Sequence, residues 1–396
     1  MFKNIGYCSL LILIVICCST EKQNKKNILG EWMFTEIKNK DSHRKPPAPF
    51  LRDPHTIIFY EDGTYINKNG FFKTSDNDHR WENNTVYLGE QTQYKIFKDS
   101  LSFLNPVTNT YEAAKIVKLT PDTLILKPKD KSQLTYVRHL SKQYKPINID
   151  KIVVSKSSCY GSCPVNSTVI SNKGELLFYG QQFNTQEGFF QAHLSKQMTE
   201  DIFKGLSTIH LEGLEKRYSE NASDMASTTI TFISNGKIMK TIYDYGSRSP
   251  FELRRLIRNI SYLYQHADLK KLVIEDPVLT GILQSNTKQV GLTDDSESFY
   301  LFSELLNAPS ISNSAEKLPF TGSYQLDLPE NRDYKKIDLY DRIIYTDGRI
   351  FKIQRRDRTF KTLDLGYNFF ETNNLTEPRN YPKAVSPPDP LAIFSK

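Results

Sequence analysis

The sequence predicts a β-rich α+β protein with several domains: an N-terminal antiparallel barrel or sandwich, a smaller α+β domain, and a β-rich C-terminal region. Three observations predict this class. Short runs of β-branched and aromatic residues alternate with polar residues at period two along the first third of the chain. Apolar residues at helical spacing enter only later, after Leu194. The length of 396 residues is enough for two or three domains.

The first domain is predicted over residues 28–140. An Asp62-Gly63 pair lies between two β-forming runs, which is a strong hairpin signal. About eight such runs at short spacing favour a barrel or a sandwich. The runs are 56–60, 64–66, 85–88, 93–97, 100–104, 114–117, 123–126 and 134–137.

Two short patterns in this domain resemble lipocalin-like domains. Gly30-x-Trp32 follows an apolar residue at the start, and Leu124-x-Leu126 precedes a final strand with Tyr136 at the end. The resemblance implies an eight-stranded barrel. A barrel of this size either is filled by its own side chains or holds one small apolar ligand.

The second domain is predicted over residues 147–271, with two β-hairpins and two helices. The first helix presents one apolar face, and Pro250 suits the first turn of the second. The apolar residues of the two helices are Leu194, Met198, Ile202, Phe203 and Leu206, then Leu253, Leu256, Ile257, Ile260 and Leu263.

A second resemblance covers this domain. A Cys-x-Gly-x-Cys-Pro motif is followed by a strand, a glycine turn and an aromatic-glycine end, as in an uncharacterised domain family of bacterial lipoproteins. The resemblance implies a fold but no activity. The matching residues are Cys159, Gly161, Cys163, Pro164, Gly174, Tyr179 and Gly180.

The third region, residues 272–396, is predicted to be β-rich with an irregular tail. Residues 298–306 read as a short helix, and Asp347-Gly348 lies between two β-forming runs as a second hairpin signal. From Glu377 the chain is rich in Pro, Ser and Asn, which favours irregular structure.

The N-terminus carries a localisation signal. Lys3 precedes a short apolar run that is typical of a signal peptide over residues 1–17 and shorter than a spanning helix. The run Val15-Ile16-Cys17-Cys18 resembles the cleavage site of bacterial lipoproteins of the Bacteroidota type. The resemblance implies a palmitate-bearing lipid on Cys18, a tether over 18–27, and attachment to the cell envelope at the outer membrane, on either its periplasmic or its surface face. An ordinary secretory peptide ending near Thr20 is the alternative.

Two cysteines remain once Cys8 and Cys17 leave with the signal and Cys18 is lipidated. An even pair in an oxidising compartment favours a disulfide between Cys159 and Cys163. Three alternatives stay open: a thiol redox or copper(I) pair, half of a zinc site, and free thiols.

The remaining composition favours a non-enzymatic binding protein. Lys and Arg total 52 against 45 Asp and Glu, with no basic stripe interleaved with aromatics, so nucleic acid is excluded as the partner. The seven histidines form no short metal-ligand pair, and no Gly-x-Ser-x-Gly or phosphate-binding glycine loop is present. We therefore expect no catalytic residue, cofactor or metal. The candidate partners are the membrane through the lipid, and a small apolar ligand, an envelope protein or a glycan.

Overall fold

The structure is a computed structural model that describes residues 22–38, 56–73, 85–129, 133–274, 282–284, 289–292, 294–312, 318–324, 342–355, 357–376 and 384–385. The chain forms two compact units. The first contains the described residues up to 73 and those of 86–142, and the second contains Thr85 and those of 143–387.

The first unit is a closed eight-stranded antiparallel barrel in the order β1-β10-β9-β8-β7-β6-β3-β2, which confirms the predicted barrel. A helical segment over 22–28, α1, precedes it, and β4 and β5 form a separate two-stranded sheet. The strands are β1 Gly30–Lys38, β2 Thr56–Phe59, β3 Thr64–Asn67, β4 Phe72–Lys73, β5 Val86–Tyr87, β6 Gln91–Phe97, β7 Ser100–Asn105, β8 Thr110–Leu119, β9 Thr123–Pro128 and β10 Gln133–Arg138.

Alternating side chains of these strands fill the barrel core. Trp32, Leu101 and Leu124 have no exposed surface, and the residues on either side of each are more exposed. Period-two alternation therefore sorts the side chains between the core and solvent, as the sequence pattern requires.

The second unit is built on an eight-stranded sheet in the order β15-β17-β16-β11-β12-β13-β14-β18. All pairs are antiparallel except β15 with β17. The strands are β11 Lys151–Lys156, β12 Val165–Ser171, β13 Glu175–Gln182, β14 Gly188–His193, β15 Arg217–Ser219, β16 Ser227–Ser234, β17 Lys237–Tyr245 and β18 Lys270–Leu272.

Both faces of this sheet are covered. Ile152 and Val154 of β11 pack with α2 and α3 on one face, while Val153 packs with α4 on the other. The centre of β11 is therefore an almost continuous buried run instead of an alternating one. The helices are α2 Lys196–Gly205, α3 Phe251–Ser261, α4 Asp295–Asn307 and α5 Phe369–Thr372.

The C-terminal region adds a six-stranded sheet, β20-β19-β21-β22-β23-β24, which packs with α4. The hairpin predicted at Asp347-Gly348 joins β22 to β23, and Gly348 has a φ of +99° that favours glycine. The strands are β19 Ile282–Gln284, β20 Gln289–Gly291, β21 Phe320–Tyr324, β22 Arg342–Thr346, β23 Ile350–Gln354 and β24 Phe360–Asp364.

The sequence placed a domain boundary between residues 271 and 272, and the structure instead joins both regions in one unit. β18 crosses this position and pairs with β14. In addition, Phe299 and Phe302 of α4 share one apolar core with Val153 of β11. Helix α4 therefore packs with residues of both sheets within one compact unit.

Candidate functional site

The disulfide loop is the sharpest chemical feature of the described chain. Cys159 and Cys163 form a disulfide with their Cα atoms 5.7 Å apart, between the end of β11 and the start of β12. Gly161 has a φ of +155°, which lets so short a ring close. Tyr160 lies in the loop with 89% of its surface exposed. The loop that the disulfide closes therefore exposes one aromatic side chain, Tyr160, to solvent.

The same loop is tied to the chain that leads into β16. The Tyr160 amide donates to the carbonyl of Asp224 at 3.0 Å. The Ser227 amide donates to Ser157 Oγ at 2.9 Å. The disulfide and these hydrogen bonds hold the backbone beneath Tyr160 from two sides.

A polar cluster lies at the end of the sheet beside this loop. Lys156 ends β11 opposite Asn166, and its ammonium is 5.5 Å from the centre of the Tyr262 ring. Burial lowers the pKa of Lys156 to about 8 and raises the pKa of Tyr262 to about 12. Motif reasoning missed both residues because neither belongs to a short pattern; only a lysine ending an apolar run could have drawn attention.

Two asparagines stiffen this cluster. Asn166 Nδ2 donates to Asn184 Oδ1 at 2.8 Å, and Asn184 Nδ2 donates to the carbonyl of Val165 at 2.7 Å. Both side chains are buried, so these bonds hold the chain after β13 against the start of β12. The cluster thus brings together an amine, a phenol and two amides, groups that donate and accept hydrogen bonds.

A second constellation holds α1 against one end of the barrel. The Arg138 guanidinium lies 3.8 Å from the centre of the Trp32 ring. It donates to the carbonyls of Asn27 at 2.7 Å and Pro121 at 2.8 Å, and also to that of Leu29. Trp32 Nε1 donates to the carbonyl of Ile28 at 2.6 Å. The chain that leaves α1 is thus fixed to the barrel by three hydrogen bonds, to the carbonyls of Asn27, Ile28 and Leu29.

Lysines cluster on α1 and on the neighbouring strand β6. Lys22, Lys25 and Lys26 are exposed and line an open surface cavity of about 550 Å³ together with Lys95 and Glu61. The cavity is therefore lined by both α1 and strand β6, which together form one continuous surface.

The turn between β6 and β7 extends the surface. Asn24 Nδ2 of α1 donates to the carbonyl of Lys98 at 3.4 Å. Phe97 beside it is 66% exposed, and the Lys98 ammonium lies 5.3 Å from the centre of its ring. An exposed aromatic ring therefore lies among lysines at this end of the barrel.

Aromatic rings occupy the barrel interior between β2, β3, β6 and β7. The Phe59 ring centre is 5.3 Å from that of Tyr65, 4.9 Å from that of Tyr94 and 6.1 Å from that of Phe103. Burial raises the pKa of Tyr65 well above its ordinary value. This part of the interior is filled by side chains, which is one of the two arrangements that the sequence left open.

The remaining sequence candidates are dispersed or lie outside the described residues. Cys18 lies outside them, as do His43, His55 and His79. His210 stacks on Tyr144 with ring centres 4.9 Å apart. Across the described ranges, no three His, Cys, Asp or Glu side chains come together as a metal site, and no helix has the length and apolarity to cross a membrane.

Comparison with known proteins identifies part of the second unit. Residues 150–264 match the family described as a domain of unknown function, DUF6438. This stretch contains the disulfide loop, the Lys156 cluster and helices α2 and α3. The family description carries no activity.

No curated protein matches this chain. Among solved structures, the chain is similar to the Helicobacter pylori beta clamp in complex with carprofen, at 8% identity. The match covers 86% of this chain and 95% of that one with a TM-score of 0.13, a value too low to support a statement about fold.

Proposed function

We propose that the protein is a bacterial cell-envelope lipoprotein, held to a membrane by a lipid on Cys18 and acting by binding instead of catalysis. The observation that carries the proposal is the run Val15-Ile16-Cys17-Cys18, which combines a lipoprotein-type cleavage site with a short apolar segment. The described fold begins at Lys22, four residues later. A lipid at Cys18 would therefore hold the barrel through a very short connection.

The disulfide supports an extracytoplasmic location. Structural disulfides form and persist in oxidising compartments and are rare where thiols are kept reduced. The pair at Cys159 and Cys163 is bonded in a loop whose backbone is also held by Asp224 and Ser227. A loop with so many constraints has the character of a structural element.

The binding role rests on Tyr160. Tyrosine is enriched among residues that dominate binding energies, since it buries a large rigid surface at low entropic cost. Tyr160 is 89% exposed on a backbone that the disulfide constrains. We propose that it contacts an envelope protein or a glycan.

Replacement of Cys18 tests the anchor. We expect Cys18→Ser to abolish acylation, because the sulfur of Cys18 is the atom to which the diacylglyceryl group would be attached. The variant protein should therefore leave the lipid-anchored membrane fraction. Intact-mass measurement of the wild-type mature protein should show an N-terminal cysteine with its acyl chains. Cys17→Ser is the control, since serine also suits the small-residue position and should leave anchoring intact. A wild-type N-terminus near Thr20 without lipid would overturn the proposal.

Removing the disulfide should have a modest, local effect. We expect the double replacement Cys159→Ser with Cys163→Ser to lower the free energy of unfolding of the second unit by about 2 kcal/mol, because the closed loop is short. Urea unfolding followed by peptide-resolved hydrogen exchange measures this loss, and exchange in the barrel should not change.

A count of free thiols distinguishes a structural disulfide between Cys159 and Cys163 from the alternative of a redox or copper protein. The mature wild-type protein should show no reactive thiol without reductant. Free thiols that bind copper(I) would instead favour the alternative.

A further inference from the structure

We infer that the α1 end of the barrel is a docking surface for an anionic lipid bilayer, with Phe97 seated among the headgroups. This membrane-facing end comprises α1, the turns at 60–63 and 98–99, and the adjoining ends of β6 and β8. The inference rests on the proposed lipid at Cys18 and adds which surface of the protein meets the membrane.

The reach of the chain limits which surface can face the bilayer. Three residues lie between Cys18 and Lys22, and a fully extended chain spans about 14 Å over the four Cα-to-Cα steps that join them. Arg138 and Trp32 hold the end of α1 on the barrel. A lipid on Cys18 therefore keeps this barrel end close to the headgroups, while the opposite end, at the turn between β7 and β8, stays farther away.

The charge of this end suits an anionic surface. Lysines surround it on several elements: Lys22, Lys25 and Lys26 of α1, Lys95 of β6, Lys98 of the turn, and Lys115 and Lys118 of β8. The described carboxylates here, Glu61, Asp62, Asp99 and Asp122, are fewer.

Asp99 and Lys115 form an ion pair at 3.4 Å, so these two residues add no net charge. The other described residues of this end are then six lysines against the three carboxylates Glu61, Asp62 and Asp122. The attraction of the lysines to anionic lipid falls off within about 10 Å, a distance comparable to the reach of the chain between Cys18 and Lys22.

An apolar element completes the surface. Phe97 is 66% exposed at the tip of the β6–β7 hairpin, and Val117 of β8 is 46% exposed. The Ile116 amide donates to the carbonyl of Asp99 at 2.7 Å, which joins the start of this turn region to β8. Exposed aromatic and aliphatic side chains flanked by lysines are the combination that binds at the bilayer interface.

An environment-sensitive fluorophore at residue 97 tests the inference on the acylated full-length mature protein. Cys159 and Cys163 are bonded and Cys18 would be acylated, so Phe97→Cys supplies a single free thiol for an NBD label. In nanodiscs of phosphatidylcholine with phosphatidylglycerol, we expect a blue shift and a roughly twofold or larger rise in NBD emission relative to detergent solution. In phosphatidylcholine alone the rise should be smaller, because the charge contribution is lost.

Val107→Cys is the matched control. Val107 is 40% exposed and lies at the turn between β7 and β8, at the other end of the barrel, so its label should show no blue shift. Adding Lys22→Glu and Lys26→Glu, which lie on one face of α1, should reduce the emission rise at residue 97.

The outcomes separate the inference from the proposal on which it rests. An acylated N-terminus with no shift at residue 97, or with equal shifts at residues 97 and 107, overturns the docking surface alone. An N-terminus without lipid overturns the proposed function and the docking surface together. An equal rise at residue 97 in neutral and anionic discs rejects the choice of anionic lipid.

Discussion

Replacing Trp32 with alanine is expected to lower the free energy of unfolding of the barrel by about 3–5 kcal/mol. The side chain has no exposed surface, lies in the barrel core and stacks under Arg138. Its removal leaves a cavity in the core and also takes away the donor to the carbonyl of Ile28. The loss should therefore loosen α1 as well as the barrel.

Hydrogen exchange resolved by peptide is the suitable measurement, because a chain of two units need not unfold in one step. Faster exchange should appear in β1, in β10 and at Ile28, with the second unit unchanged. Phe97→Ala is the control, since that ring is 66% exposed and its loss should change stability by less than about 0.5 kcal/mol. Equal effects of the two replacements would contradict the structural role assigned to Trp32.

The barrel could be predicted from the sequence because its signals are local. Alternation at period two marks each strand, and Asp62-Gly63 marks a hairpin. The stacking of Arg138 on Trp32 was not predictable, because the two residues are more than a hundred positions apart and pair only once β1 and β10 lie side by side. The helical structure of 22–28 was also missed: the segment has no apolar face, and its position depends on those long-range hydrogen bonds.

The organisation of the second unit depends even more on long-range contacts. The sequence predicts its strands and the helices at Leu194 and Leu253, and the structure contains them. The helix predicted over 298–306 is present as α4, and it is buried on nearly all sides. The apolar sequence of such a helix predicts that the helix is buried, but it does not indicate which sheets cover it. For the same reason, the Lys156 cluster could not be assembled from sequence.

Replacing Phe299 with alanine is expected to destabilise the second unit by about 3–5 kcal/mol. Phe299 has no exposed surface, and its ring centre is 5.6 Å from that of Phe302 and 6.5 Å from that of Tyr179. Leu306→Ala is the matched control on the same helix, because Leu306 is 39% exposed and should lose well under 1 kcal/mol. Urea unfolding followed by exchange in β11 and β13 measures both losses.

The packing of α4 against the sheet that contains β11, β12 and β13 also decides whether the stretch 150–264 can fold by itself. Without α4, the second face of its sheet would expose Val153, Val169 and Tyr179, which the full chain buries. A contiguous apolar face of that size leads to self-association in water. A fragment ending at residue 271 is therefore expected to aggregate, whereas one continued to residue 376 should stay monomeric in light scattering. A monomeric short fragment, together with a Phe299→Ala protein of unchanged stability, would show that α4 only rests on a sheet that is already stable.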